Sequence, residues 1–478
     1  MKLSELTLTT PYLSLDPIFY HEVAPTPLKK PHLISFNADA ASLLGIHPNE
    51  LDPNELESLL NGTLKLKGSH PYAMCYAGHQ FGYYVQRLGD GRAINLGSIH
   101  GWNLQLKGSG ITRYSRQGDG RAVLRSSIRE YLMSEAMNAL GIPTSRAMAL
   151  ISSDEKVARE KWERGAIVLR LSPSWIRFGS FEYFFHTNKH KELETLADFL
   201  LHESFPQLVG VEDAYLKMYA EIVKRTAQMI AGWQSVGFNH GVMNTDNMSA
   251  IGITIDYGPF AFMDTFESGY ICNHTDNGGR YSYDNQPRIG YWNLERLAHA
   301  LSPLVTQEKL KNELEQYGDY FTAKLMELLR AKLGLDSSDE NDSELLRTLF
   351  TLMENGRVDM TPFFRTLSRY DGDRSQLLAL TLAPNQLNEW CDRYDERLKS
   401  NTSSVEERHT QMLRTNPKYV LKNYILQEAI DAAEKDDFSL VNDLLTLAQN
   451  PYDEYPEFER YAGVTPQQHT NLKLSCSS

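Results

Sequence analysis

The sequence predicts an α+β fold of two unlike lobes, a sheet-containing N-terminal lobe followed by a mainly helical C-terminal lobe. Three observations carry this. Ten glycines punctuate residues 78–120, separated by short β-type runs, which is the pattern of strands joined by tight turns. From about residue 195 onward, apolar residues recur at helical spacing instead. The 478 residues also exceed what one small core organises, so two or three packed units are expected. The order divides the chain into an N-terminal extension packing on the core (1–70), a sheet lobe (71–190) and a helical lobe (191–478). A cleft between unlike lobes is where a ligand is expected.

The elements follow in order. Pro11, Pro17, Pro25, Pro27 and Pro31 break up the first segment, leaving short helices near Ala38–Leu44 and Asn54–Leu60. Ala93–Leu96 and Trp102–Leu106 read as strands. A helix follows, with Ser126 and Ser127 as N-cap candidates and with Leu124, Ile128, Leu132, Met133, Ala136 and Leu140 on one face. Gly141 and Pro143 end it. Ala166–Leu171 is another strand, and Asp213–Val236 a long helix. Leu294, Leu297, Leu301 and Leu304, then Leu314, Tyr317, Phe321, Leu325 and Leu328, continue the helical spacing. The polar stretch Asp336–Glu344 is expected to be a solvated loop.

Composition excludes several classes. The formal charge of −13, from 48 basic and 61 acidic side chains, disfavours non-specific binding to nucleic acid or to an anionic membrane. Cys75, Cys272, Cys391 and Cys476 form no CxxC pair and no repeating spacing, which argues against a zinc ribbon or a disulfide framework. No stretch approaches the roughly 20 apolar residues of a membrane span, and Met1–Pro11 has no signal-peptide core. The expectation is a soluble cytoplasmic protein with no nucleic-acid or membrane partner.

Three constellations bear on chemistry. Gly89-Asp90-Gly91-Arg92 recurs as Gly118-Asp119-Gly120-Arg121. Such turns bring backbone and a guanidinium close to a phosphate, and they also serve as plain surface turns. Lys107, Arg113, Arg116, Arg121, Arg125 and Arg129 form a basic run in an acidic chain, of which Arg125 and Arg129 read as the solvated face of a helix. Lys107 ends a strand beside Gly108-Ser109-Gly110, and Glu130 on the next helix could hold it. A strand lysine held by a helix glutamate is the protein-kinase arrangement.

The third constellation is the most informative. His240 and Asn247 stand seven apart after the long helix, and Asp256-Tyr257-Gly258 follows the β-type run Ile251–Ile255. A kinase catalytic loop reads H-x-D-x-x-x-x-N, then a strand, then D-x-G; Asn247 and Asp256 would then hold the metal of a nucleotide. The loop departs from that pattern at Val242, which stands where the catalytic aspartate belongs and cannot accept a proton. Since a general base contributes about 10²–10⁴-fold, ordinary γ-phosphoryl transfer needs a substitute, for which Asp246 is the candidate. His186 and His190, four apart, are read as surface residues and not as zinc ligands, and no GxSxG nucleophile elbow occurs.

Tyr76-Ala77-Gly78-His79-Gln80-Phe81-Gly82, Leu88-Gly89-Asp90-Gly91-Arg92-Ala93, Gln105-Leu106-Lys107-Gly108-Ser109-Gly110, Ser115-Arg116-Gln117-Gly118-Asp119-Gly120-Arg121 and the His240–Asn247 loop together resemble the selenoprotein O family, over essentially the whole chain. The resemblance implies a protein-kinase-like bilobal fold. It implies a protein adenylyltransferase that moves AMP from ATP to Ser, Thr or Tyr hydroxyls of proteins and releases pyrophosphate, with self-modification. The nucleotide would sit reversed in the cleft. Lys107, oriented by Glu130, would hold phosphates; Gly89, Gly91, Arg92, Asp119 and Gly120 would line the nucleotide; Arg170 and Arg177 would grip the terminal phosphates. Asn247 and Asp256 would bind Mg²⁺ or Mn²⁺, and Asp246 would accept the proton. UTP with Mn²⁺ is a variant that the sequence leaves open. Two alternatives compete. Val242 counts against an atypical kinase using Asp246, and the retained Lys107, Asn247 and Asp256 count against a nucleotide-binding scaffold. The family's redox-active C-terminal residue has its counterpart in Cys476, and Cys272 lies in the polar stretch after Asp256-Tyr257-Gly258; the resemblance leaves two readings open, a regulatory Cys272–Cys476 disulfide and two unrelated thiols.

Overall fold

The computed structural model describes residues 2–470 and 472. Its N-terminal part is built on one antiparallel sheet. The strands are β1 (Tyr20–Glu22), β2 (His32–Phe36), β3 (Tyr72–Met74), the separate hairpin β4 (Gly78–Gln80) and β5 (Tyr83–Val85), then β6 (Ala93–Ile99), β7 (Trp102–Lys107), β8 (Ala122–Val123), β9 (Arg146–Ala158) and β10 (Trp162–Ser172). The main sheet runs β1-β3-β6-β7-β10-β9-β2, with β8 paired to β10. Residues 1–70 thus supply both edge strands, β1 and β2, and also α1 (Ala38–Ser42) and α2 (Pro53–Leu60).

The period-2 alternation of β7 and β10 decides which residues meet the cleft. Leu104 and Leu106 of β7, with Ile167, Leu169 and Leu171 of β10, face a core shared with α1 and α2. Gln105, Lys107 and Arg170 fall on the opposite face, toward α3 (Leu124–Ala139), which carries Glu130. Register places Arg170 opposite Gln105 and Val168 opposite Lys107.

The C-terminal part is helical. α4 (Phe178–His186), α5 (His190–Ser204), α6 (Ala214–Ser235) and α7 (Gln286–Leu301) pack on one another, and the two-stranded ladder of β11 (Phe238–Asn239) and β12 (Ala261–Phe262) follows α6 and packs against it. A second core, including Leu349, Phe363, Trp390 and Tyr394, joins helices between residues 342 and 398. The helices Asn423–Ala433 and Ser439–Gln449 return to the sheet lobe and share the main core with α3. Ser35 Oγ donates to Asn442 Oδ1 at 2.8 Å, and Gln449 Nε2 donates to Asn37 Oδ1 at 2.8 Å. Among the described residues no helix is long and apolar enough to cross a membrane.

Four local expectations are corrected. The α3 N-cap is Val123, the last residue of β8, and no side chain caps it; Ser126 and Ser127 lie inside the helix, whose start is set by the sheet. Ile251–Ile255 is not a strand: Gly252 turns the chain at φ +71°, leaving only isolated bridges at Thr254. Residues 336–341 form the exposed loop expected, but Asp342 starts the next helix, is buried and is bonded to Arg397 Nε at 2.7 Å, so the stretch ends in a structural ion pair. Arg129 is 2% exposed and donates to the Phe260 carbonyl at 2.8 Å and to Asn423 Oδ1 at 3.0 Å, while Arg125 pairs with buried Glu163. Neither is a solvated-face arginine.

Candidate functional site

A cavity of about 600 Å³ lies between the two parts, lined by Gly89, Gly91, Arg92, Lys107, Asp119, Gly120, Glu130, Arg170, Arg177, Asp246, Asn247 and Asp256. Every sequence-predicted nucleotide, base and metal residue therefore opens onto one space. Val242, Asn244 and Tyr76 line it as well.

At its centre a single carboxylate meets three cations. Asp256 Oδ1 lies 2.7 Å from Arg170 Nη1 and 3.4 Å from Lys107 Nζ; Asp256 Oδ2 lies 2.5 Å from Arg177 Nη1. Glu130 shares two of these cations, pairing with Lys107 and lying 2.6 Å from Arg170 Nη1. Burial alone would raise the Asp256 pKa, but Arg177, Lys107 and Arg170 outweigh it and hold the carboxyl well below the usual range. Burial lowers the Lys107 pKa, with Glu130 opposing. Gln105 braces the other Arg170 nitrogen, and Trp175 underlies the guanidinium with its ring centroid 4.5 Å away. Sequence reading did not single out Gln105; its signal was the i, i+2 spacing that puts it on the Lys107 face of β7. Asp256 itself adopts φ +58°, a left-handed conformation uncommon for a non-glycine residue.

Asp246 has a different setting. Arg177 Nη1 donates to its backbone carbonyl at 2.7 Å, and Gln80 Nε2 donates to Oδ2 at 3.2 Å. Its Oδ1 is buried with no hydrogen-bond partner among the described residues. Burial pushes its pKa up to about 7, with Gln80 and Arg177 opposing and Asp256 adding to the rise. Two carboxylates in one cavity are thus driven apart, Asp256 fixed as an anion and Asp246 poised near neutrality. Asn247 Nδ2 donates to the Val242 carbonyl at 3.0 Å, which leaves its Oδ1 as the oxygen donor. His240 is a buried framework residue: its ring stacks on Trp233 at 5.3 Å, and its Nε2 lies 3.1 Å from the Ile255 carbonyl.

The repeated tetrapeptides diverge in use. Asp90 is 3% exposed and accepts from Met74 N at 3.0 Å and Asn95 Nδ2 at 3.1 Å, so it is a framework residue. Asp119 sits at the rim and holds Arg159 through two bonds of 2.8 and 3.0 Å. Gly91 and Gly120 are required by backbone closeness: a Cβ would strike Tyr114 O and Gly110 O, respectively. Arg121 donates to the carbonyls of Thr26 and Pro27 at 2.6 and 3.0 Å, tying the first segment to the rim.

Cys272 is buried, its sulfur against the Pro259 carbonyl and beneath Gly241. Cys476 lies outside the described residues. His186 packs against Tyr84 with ring centroids 4.0 Å apart and is exposed, as is His190, in line with the surface residues expected.

A polar cavity with three converging cations and two carboxylates of opposed character defines a site for anionic, phosphate-bearing chemistry. The family model described as protein adenylyltransferase SelO matches residues 2–449. A protein named protein nucleotidyltransferase YdiU from Myxococcus xanthus (strain DK1622) is 47% identical over 485 residues, covering 100% of this chain and 99% of that one. Proteins of the same name from Thioalkalivibrio sulfidiphilus (strain HL-EbGR7) and Aliivibrio fischeri (strain MJ11) are 45% and 47% identical, over 100% and 99% of both chains, respectively. The chain belongs to the SelO protein adenylyltransferase family and is an enzyme of the nucleotidyltransferase class.

Proposed function

We propose that this enzyme transfers AMP from ATP to Ser, Thr or Tyr hydroxyls of proteins, itself included, in a kinase-like cleft that holds the nucleotide reversed. The observation that carries this reading is the separation of roles around the cavity. Lys107, Arg170 and Arg177 converge on one point, and Asp246, with a pKa near 7 and an oxygen without a partner, stands beside them. Asp246 takes the proton of the acceptor hydroxyl, whose oxygen attacks the α-phosphorus. The bond from that phosphorus to the bridging oxygen breaks, and pyrophosphate leaves into the three cations, which stabilise its developing charge without reorganising. Glu130 keeps Lys107 and Arg170 in place; Gly89, Gly91, Arg92, Asp119 and Gly120 line the nucleotide. Val242 needs no proton-accepting role, because the γ-phosphorus is not attacked.

Asn247 and Asp256 suit a divalent ion: both offer oxygen donors to the cavity. Among the described residues no group of three or more His, Cys, Asp or Glu is arranged to hold a metal. Such an ion would therefore draw most of its ligands from phosphate and water, as Mg²⁺ and Mn²⁺ do. When bound, it neutralises phosphate charge and orients the polyphosphate. UTP with Mn²⁺ is a second substrate pair that the same polyphosphate grip would accept.

The test is incubation with α-³²P-ATP and, in parallel, γ-³²P-ATP, with Asp256→Ala as control. Label on protein from the α position alone, absent in the control, is the expected result. Label from γ would replace this reading with an atypical kinase. No label from either nucleotide, with Mg²⁺ or Mn²⁺ and several acceptor proteins, would leave a nucleotide-binding scaffold.

A further inference from the structure

Just outside the cavity, Glu182 closes a small network onto the residue that precedes Asp246. Glu182 lies on α4 with its side chain 1% exposed. Its Oε2 accepts from Thr245 Oγ1 at 2.5 Å, and its Oε1 lies 2.7 Å from His79 Nδ1. The backbone N–H of His79 in turn donates to Thr245 Oγ1 at 2.6 Å. Three elements meet there: α4, strand β4 and the one-turn 3-10 helix Thr245–Asn247. The hydroxyl of Thr245 both accepts and donates, so it links β4 to α4 through the loop. The His79 ring is held in turn, edge-on to Trp292 at 5.4 Å and beside Tyr84 at 5.3 Å.

The same elements enclose Asp246. β4 supplies Gln80, bonded to Oδ2, and Gly78, where a Cβ would fall 2.7 Å from Oδ1. The start of α4 supplies Gly179, packed against the Asp246 backbone, and Arg177 immediately before the helix binds its carbonyl. A loop carboxylate without a partner on one oxygen would otherwise sample several rotamers, and a misplacement of about 1 Å costs roughly 10²-fold in rate.

We propose that Glu182 is a positioning residue for the transfer reaction, acting through the Thr245 hydroxyl to hold the Asp246 carboxylate against the acceptor. The inference rests on the role of Asp246 in the proposed function. A carboxylate accepts at both oxygens, from Thr245 Oγ1 and, in the tautomer with the proton on Nδ1, from His79; an amide would then set its NH₂ against one of two donors. The nucleotide is gripped elsewhere, by Lys107, Arg170 and Arg177, so the clamp affects turnover and not nucleotide affinity.

The experiment uses the full chain and compares Thr245→Val, Thr245→Ser, Glu182→Gln and Asp246→Asn for transfer rate, KM for ATP and ATP-induced thermal shift. Thr245→Val and Glu182→Gln are expected to lower kcat by about 10–100-fold, with KM for ATP and the thermal shift within twofold. Thr245→Ser, which keeps the hydroxyl, is expected within about threefold of the parent rate. The clamp is refuted if Thr245→Val or Glu182→Gln turns over at the parent rate while Asp246→Asn is inactive. It is equally refuted if Thr245→Ser is as slow as Thr245→Val, or if the loss appears in KM for ATP. A fully active Asp246→Asn instead refutes the base assignment, and the reason for the clamp falls with it. Should Thr245→Val fail to fold, the Glu182→Gln and Thr245→Ser pair decides.

Discussion

Replacing Asp256 by asparagine removes the one charge that three cations share. Lys107, Arg170 and Arg177 stand 3.4, 2.7 and 2.5 Å from its carboxylate; in its absence Glu130 still pairs with Lys107 and Arg170, while Arg177 loses its ion pair. Its side chain is 19% exposed, so solvent screens little of the loss. Removing one partner from a buried pair typically costs about 3–5 kcal/mol. With 478 residues and about 2.1 cal/mol/K of unfolding entropy per residue, 1 kcal/mol corresponds to about 1 °C. Asp256→Asn should therefore melt about 3–5 °C lower in metal-free buffer with chelator. The sign with pH follows from the depressed pKa of Asp256. Its contribution is present above the unfolded value near 3.8 and is lost as pH falls below it, so the gap persists across neutral pH. Pyrophosphate should reverse the defect, because it restores the missing negative charge. At about 100 times its Kd it adds about 2.7 kcal/mol, and the variant should gain more than the parent, in which Asp256 competes for the same cations. The assay is differential scanning fluorimetry over a pyrophosphate series. A variant that melts at or above the parent, or equal pyrophosphate shifts in both, would refute the reasoning.

Other expectations follow from separate features. Burial raises the Glu203 pKa to about 7, against the opposing bonds of Ser174 and Asn103. The folded state therefore holds an extra proton between about pH 4.5 and 7, and stability falls by about 3 kcal/mol as pH rises through that window. Glu203→Gln should lack this slope and melt higher at pH 7; parallel melting curves for the two proteins from pH 5 to 8 would contradict it. At Gly179 a Cβ would strike the Ala77 carbonyl, so Gly179→Ala should displace β4 from Asp246 and lower both melting temperature and transfer rate; unchanged values in both assays would show that the packing can yield. A Cys272–Cys476 bridge that tunes the enzyme predicts that reductant changes the activity of the parent but not of Cys476→Ala. Equal responses in the two would remove that reading.

The site was more legible than the fold around it. Lys107, Glu130, His240, Asn247 and Asp256 declared themselves because strand ends, helix faces and fixed loop spacings constrain them locally. Arg129 did not: its partners, Phe260 and Asn423, are distant in sequence, and a guanidinium on a helix looks the same whether it meets water or a carbonyl. The edge strands β1 and β2 were hidden for a related reason. Each is five residues or fewer and is made a strand by its neighbour in the sheet, not by its own pattern. Asp342 was misread because a short acidic run carries no record of the arginine, 55 positions later, that neutralises it. Glu182, and Thr245 within the His240–Asn247 loop, carry no role on the sequence alone and become informative only once β4, α4 and the loop are brought together.

The return of the helix Ser439–Gln449 to α3 and to the first segment sets an order of events during synthesis. Glu130 and the edge strand β2 leave the ribosome long before the helix that packs behind them. With 300 residues between Ala139 and Ser439, and elongation at about 5–20 residues per second, the interval is about 15–60 s. Throughout it, α3 lacks part of its apolar cover and Ser35 lacks Asn442. On this reading the lysine–glutamate pair matures only after residue 439 has been made, and nascent chains halted before it should bind ATP poorly in a crosslinking assay. Placing a late-made helix behind the first-made half gives the enzyme a built-in delay, so that it gains its nucleotide grip only once the helix Ser439–Gln449 has been made.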